Sequence, residues 1–168
     1  TLCRSESALP LIEKYDNLLI VQTFSKSRSM AGMRIGYAFG SEKLIKYLSD
    51  VKYSFNSYTL SNLAIETGAA AVMDDEYFKK TCESIISTRE EVKEQLRGLG
   101  FSFPDSNANF IFAKHDKVFA GDIFEELKKK HIYVRYFNKP LIDNYLRITI
   151  GTPEEMEKLY TALKEIVG

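Results

Sequence analysis

Lys26 sits among small hydroxyl residues, Thr23, Ser25 and Ser27, and Arg34 follows it by eight positions. An amine held where the dielectric is low gives up its proton more easily than one in water. Such a lysine can condense with a carbonyl. Hydroxyls and a planar guanidinium are what a phosphate needs. Lysine, hydroxyls and arginine together point to an aldehyde cofactor carrying a phosphate, and pyridoxal phosphate fits that description. The plainer reading of the same residues is a surface lysine on a turn with a salt-bridging arginine. A second pair of charges stands out downstream. Arg147 lies inside an apolar run, between Leu146 and Ile148, and Arg135 precedes it by twelve positions. A charge on a half-buried strand needs a partner. On composition alone, each arginine pairs with a carboxylate such as Asp143 or Glu155.

The elements that position these groups follow from the pattern. Leu18-Leu19-Ile20-Val21 reads as a buried strand over 18–22, running directly into the lysine segment, and a second apolar run spans 35–39. Before them, Leu9-Pro10-Leu11 leads into a connecting turn or short helix. Ser41 is placed to cap a helix over 42–52, with Leu44, Leu48 and Val51 on one face. A polar-aromatic loop follows over 53–58. Residues 60–73 are rich in Ala and Gly, which lets a helix pack closely on a neighbour. Asp74-Asp75 opens a longer helix to Leu96, ended by Gly98 and Gly100. Phe78, Ile85, Val92 and Leu96 mark its buried stripe. Lys79, Lys80, Glu83, Arg89, Glu90, Glu91 and Glu94 read as its wet side.

From Phe101 the pattern changes. Strands are predicted over 101–103 and 109–113, flanking the Pro104-Asp105-Ser106 turn, and over 132–134 and 145–150. A helix is predicted over 121–130. Thr152-Pro153-Glu154-Glu155 is a strong helix start: a capping threonine, proline at the first helical position, and glutamate three after the cap. Met156, Leu159, Tyr160, Leu163, Ile166 and Val167 give that helix its apolar face.

The chain has 168 residues, 45% hydrophobic and 27% charged, with 23 basic against 23 acidic groups. That length suits one domain or two small ones with a real core. The even charge balance gives no sign of a nucleic-acid or membrane surface. No apolar run is long enough for a transmembrane helix, and no signal peptide is visible, the start carrying charges at Arg4 and Glu6. Cys3 and Cys82 read as reduced thiols of a cytoplasmic protein. With His115 and His131 they show no metal-ligand spacing, so no metal is expected.

The segment Thr23-Phe24-Ser25-Lys26-Ser27-Arg28-Ser29-Met30-Ala31-Gly32-Met33-Arg34-Ile35-Gly36-Tyr37 resembles the cofactor-lysine segment of class I/II aminotransferases, most closely the histidinol-phosphate aminotransferase branch. The resemblance extends over nearly the whole chain. It implies an α/β fold, the C-terminal part of a fold-type-I pyridoxal-phosphate transferase. Residues 1–96 would be an incomplete piece of the large domain and 97–168 a small α+β domain. It implies that Lys26 carries pyridoxal 5'-phosphate covalently and acts as acid and base, and that Thr23, Ser25 and Arg34 hold the cofactor phosphate. Leu146-Arg147-Ile148-Thr149-Ile150-Gly151-Thr152 resembles the strand whose arginine clamps the substrate carboxylate. Arg135 matches a second arginine facing the substrate's distal group. The implied partners are a small amino donor, histidinol phosphate, and a 2-oxo acid, 2-oxoglutarate, in a homodimer serving histidine biosynthesis.

Two other readings stay open: a decarboxylase of a phosphorylated amino acid on the same fold, and a non-catalytic binding module or fragment. The family's ring-nitrogen aspartate, glycine-rich phosphate turn and ring-stacking aromatic all lie upstream of its lysine. Only 25 residues precede Lys26. The expectation is therefore the C-terminal half of an enzyme, silent alone and prone to self-association through exposed strand edges.

Overall fold

A computed structural model describes residues 6–168. Cys3, Arg4 and the irregular opening segment lie outside the described residues. The chain divides into two compact units at 80/81. The sequence boundary at 96/97 falls instead near the end of the helix that crosses this division.

In the first unit, Leu9–Leu11 is a short 3-10 turn with its proline in the first turn, as the Leu-Pro-Leu pattern suggests. β1 (Leu19–Thr23) pairs antiparallel with β2 (Gly36–Gly40), in the register Leu19↔Gly40 to Thr23↔Gly36. Between them sits α1, the single turn Phe24–Ser27. β1 was expected to be buried, but Val21 is 64% exposed, because this two-stranded ribbon has no second apolar layer over it among the described residues. α2 spans Glu42–Phe55, so Tyr53–Phe55 belong to the helix and not to the following loop. Ser41 occupies the cap position without capping; its hydroxyl donates to the Asp16 carbonyl at 3.0 Å.

α3 (Asn62–Met73) is capped by Ser61, whose hydroxyl accepts from the Ala64 amide. Its small residues do bring it close to its neighbours. Ala64 is buried with Phe24 and Ile35. A Cβ built on Gly68 would come within 2.8 Å of Ile35 Cδ1, so a larger residue there would push the helix off. α4 (Asp75–Gly98) begins with the Asp74 carboxylate accepting from the Tyr77 amide.

The second unit is built on a four-stranded antiparallel sheet of order β3-β4-β6-β5. Its strands are β3 (Phe101–Ser102), β4 (Phe110–His115), β5 (Arg135–Tyr136) and β6 (Leu146–Thr149). Alternation along β4 and β6 sends Ile111, Ala113, Leu146 and Ile148 to one face. There they join Val92 and Leu96 of α4, Ile123 and Leu127 of α5 (Ala120–Lys129), and Leu159 and Leu163 of α6 (Pro153–Val167) in one core. Each of the Val, Leu and Ile side chains among them, fully buried, stabilises the fold by about 1.5–3 kcal/mol. The other sheet face carries Phe110, Phe112, Lys114, Arg147 and Thr149.

The start of α6 is as the sequence predicts. Thr152 Oγ1 accepts from the Glu155 amide at 3.3 Å, and Glu155 Oε2 accepts from the Thr152 amide at 2.8 Å. Gly100, at φ 81°, closes the turn after α4, in a conformation that glycine adopts without strain.

Two expectations fail here for physical reasons. Residues 132–134 are not a strand. His131 is left-handed at φ 60°, its amide donates to the Lys128 carbonyl, and the Ile132 amide donates to Leu127. This is a Schellman closure of α5, which commits the Ile132 donor to the helix end. A cleft of about 400 Å³ then separates Ile132–Val134 from Ile148 and Thr149. Arg135 therefore opens β5 instead of ending a strand. Second, Arg89 is not on a wet face of α4 but 2% exposed, and Lys93 is 4% exposed. Lys93 Nζ pairs with Asp105 at 2.7 Å and with Glu90 at 3.1 Å. Arg89 pairs with Glu90 and donates to the Ala108 carbonyl at 3.2 Å.

Candidate active site

Thr23 ends β1 in an extended conformation, and its hydroxyl accepts from the Ser25 amide at 3.3 Å. That cap starts the one turn carrying Lys26. The turn is closed by Ser29, left-handed at φ 54°, whose amide donates to the Lys26 carbonyl at 3.2 Å. The Phe24 carbonyl accepts from both the Arg28 and Met30 amides. The Phe24 amide donates to Ile35 at 3.1 Å, which brings the end of the loop back beside its start. Arg34, immediately before Ile35, is left-handed at φ 58° and donates to the Ala31 carbonyl at 3.1 Å. Two non-glycine residues with positive φ in one short loop mark a backbone held in a sparsely populated shape, as binding loops often are.

Thr23, Ser25, Lys26 and Arg34 are thus gathered on one hairpin loop. Lys26 is exposed in this chain, not buried as the chemistry of an easily deprotonated amine would favour. Among the described residues, no carboxylate pairs with Lys26 or Arg34, so the salt-bridged surface pair does not form. The amine, the Thr23 and Ser25 hydroxyls and a guanidinium left without an acidic partner among the described residues fit a phosphorylated aldehyde.

The second group lies in the second unit. Arg135 and Arg147 are register partners across β5 and β6. Directly opposed residues share a sheet face, with Cβ atoms about 4.5–5.5 Å apart. The Arg147 guanidinium lies 5.4 Å from the centre of the Phe110 ring, and that of Arg135 lies 5.1 Å from the Phe137 ring. Neither has a carboxylate partner among the described residues: Glu155 is spent on the α6 cap, and Asp143 is in no ion pair. Among the described residues, Arg147 Nε is buried with no hydrogen-bond partner. Two like charges on one sheet face, one with an orphaned buried donor, have the chemistry to receive an anion.

The sequence reading missed Phe110 and Phe137, whose rings shape this face, and Arg28, which lies two residues beyond Lys26. Alternation along β4 was the available signal for Phe110. His115, by contrast, is a satisfied core residue: Nε2 lies 3.0 Å from the Leu99 carbonyl and Nδ1 accepts from Val118 at 3.0 Å.

Comparison with known proteins identifies the family. The histidinol-phosphate aminotransferase of Brachyspira hyodysenteriae is 54% identical over 162 residues, which cover 96% of this chain and 46% of that protein. That of Lactococcus lactis subsp. lactis is 54% identical over 159 residues, 95% of this chain and 44% of that protein. The chain therefore spans about half the length of the curated relatives it matches. The crystal structure of histidinol-phosphate aminotransferase from Sinorhizobium meliloti in complex with pyridoxal-5'-phosphate superposes with a TM-score of 0.82 at 25% identity. The match covers 93% of this chain and 43% of that one. The family described as aminotransferase class I and II matches residues 2–163, and the chain belongs to it.

Proposed function

We propose that this chain supplies the cofactor lysine and the substrate arginines of a pyridoxal-phosphate-dependent aminotransferase. Its amino donor is histidinol phosphate and its acceptor 2-oxoglutarate, in histidine biosynthesis. The observation that carries the reading is the Arg135–Arg147 couple, register partners on one sheet face without a carboxylate partner among the described residues, which suits a phosphate or a carboxylate. The activity named for the Brachyspira and Lactococcus relatives, at about half identity, supports it.

When bound, pyridoxal phosphate supplies an electron sink at the carbon next to the substrate amine. The residues of this chain do the rest. Thr23, Ser25 and Arg34 hold the phosphate through hydroxyl and guanidinium donors. Lys26 would hold the cofactor at its aldehyde end and would take up and return a proton at Nζ. Arg147 fixes the substrate carboxylate in a two-pronged contact, and Arg135 meets the distal anionic group. The working form is a cytoplasmic homodimer. The exposed apolar residues of α2, such as Val51 and Phe55, are the kind of surface that a second copy covers.

The test is chemical. The chain is incubated with pyridoxal phosphate, reduced with borohydride and mapped by peptide mass. The label is expected on Lys26. Preferential labelling of any other lysine would sink the assignment. Release of carbon dioxide from a phosphorylated amino acid, with no transfer of its amine, would overturn the transaminase reading.

A further inference from the structure

The turn that carries Lys26 is only four residues long, and so short a helix has no stability of its own. Phe24 buries one side of it against Ile35 and Ala64. A second hold comes from Arg28. Its guanidinium donates through Nη1 to the Ala71 carbonyl, in the last turn of α3. Carbonyls there lack helical partners and lie at the negative end of the helix dipole, so a cation is favoured. The same guanidinium lies 4.1 Å from the centre of the Phe78 ring, in the first turn of α4. The Asp75 carboxylate is held below its usual range chiefly by its hydrogen bond to Lys79, against a smaller opposing effect of burial. The charges of Lys79 and Arg28 add to the lowering. Arg28 thus reaches both helix ends at the α3–α4 junction. Its own amide closes the lysine turn onto the Phe24 carbonyl at 3.3 Å.

We propose that Arg28 is a positioning residue for Lys26. Its bond to Ala71 and its stacking on Phe78 fix the lysine turn against the α3–α4 junction and so aim the amine. The proposal rests on the reading of Lys26 as the cofactor lysine. It assigns Arg28 a part in that site without contact to cofactor or substrate. Lysine cannot replace it, because an ammonium has no planar fork to donate and stack at once.

Three variants of the chain test this: Arg28→Gln, Arg28→Lys and Phe78→Leu. Two readouts are followed. One is amide hydrogen exchange over residues 24–29, measured without cofactor. The other is the rate at which pyridoxal phosphate, trapped with borohydride, labels Lys26 relative to the remaining lysines. All three variants are expected to speed exchange on the turn while amides of the second unit stay unchanged. Each should slow Lys26 labelling about tenfold relative to the other lysines, the scale of loss expected for a misaimed reacting group. Rescue of both readouts by Arg28→Lys, or wild-type exchange and labelling in Arg28→Gln and Phe78→Leu, would overturn the proposal. If the unaltered chain labels elsewhere, it is the assignment of Lys26 that fails. The exchange readout still decides whether Arg28 anchors the turn.

Discussion

The two units solve the same problem in different ways. The second buries sixteen apolar residues in one core under its sheet. Among the described residues, the first has a cluster of three, Phe24, Ile35 and Ala64, with Met30 and Met33 beside it. Its ribbon and helices leave Val51, Phe55 and Met73 at 66%, 90% and 85% exposure. The shape of the first unit is held by directed contacts: the Thr23 and Ser61 caps, the ladder of β1 and β2, and Arg28 on Ala71. Burial is non-directional and forgiving, whereas caps and ion-to-carbonyl bonds work only at one geometry. The lysine lies in the unit held by geometry, and the arginine pair lies on a sheet backed by a core.

The largest test of that contrast is a pair of truncations. Leu163→Ala, in the core of the second unit, is expected to cost about 3 kcal/mol, and Val51→Ala, on an exposed face of α2, less than about 0.5 kcal/mol. Urea unfolding of each variant measures both. Comparable losses would mean that the first unit is as dependent on packing as the second.

A smaller effect is expected at the buried cations of α4. Arg89→Leu leaves the Ala108 carbonyl without its charged donor and is expected to cost about 2 kcal/mol. A neutral result would show that Arg89 contributes packing alone. Heat or urea denaturation reads it directly.

The smallest effect has the opposite sign. Among the described residues, the Tyr160 hydroxyl is buried without a hydrogen-bond partner. Burial first, then the charges of Glu91 and Glu157, push its pKa up to about 12. In the unfolded chain a tyrosine ionises near pH 10, so the folded form resists ionisation more. Its contribution to stability is full below about pH 10 and is lost as pH rises through about 12. Tyr160→Phe is expected to gain about 1 kcal/mol at neutral pH, by removing an unsatisfied hydroxyl, and to lack this alkaline loss. Melting temperatures at pH 7 and 11 test both parts.

How far the sequence could be read depended on how local the cause was. The Thr152 capping box is written within four residues, and the structure forms both of its bonds. That Thr23, Ser25, Lys26 and Arg34 share one loop was legible, because they follow a strand within twelve residues. Arg89 was misplaced, because helical periodicity reports which face a residue occupies but not what awaits it there. The Ala108 carbonyl comes from a loop nineteen positions away, and only tertiary folding brings it under α4. Residues 132–134 have the apolar composition of a strand. The left-handed His131 before them spends the Ile132 donor on a helix end, a choice that composition does not record.

The opposed arginines of β5 and β6 carry one more consequence. Most charged contacts in proteins join opposite signs, so added electrolyte weakens them. Here the neighbours repel, and counter-ions gathering within a Debye length, about 8 Å at physiological ionic strength, relieve that repulsion. The second unit should therefore be steadied by salt at this edge of the sheet. Small multivalent anions should do so more effectively than chloride, since their higher charge screens the pair more strongly.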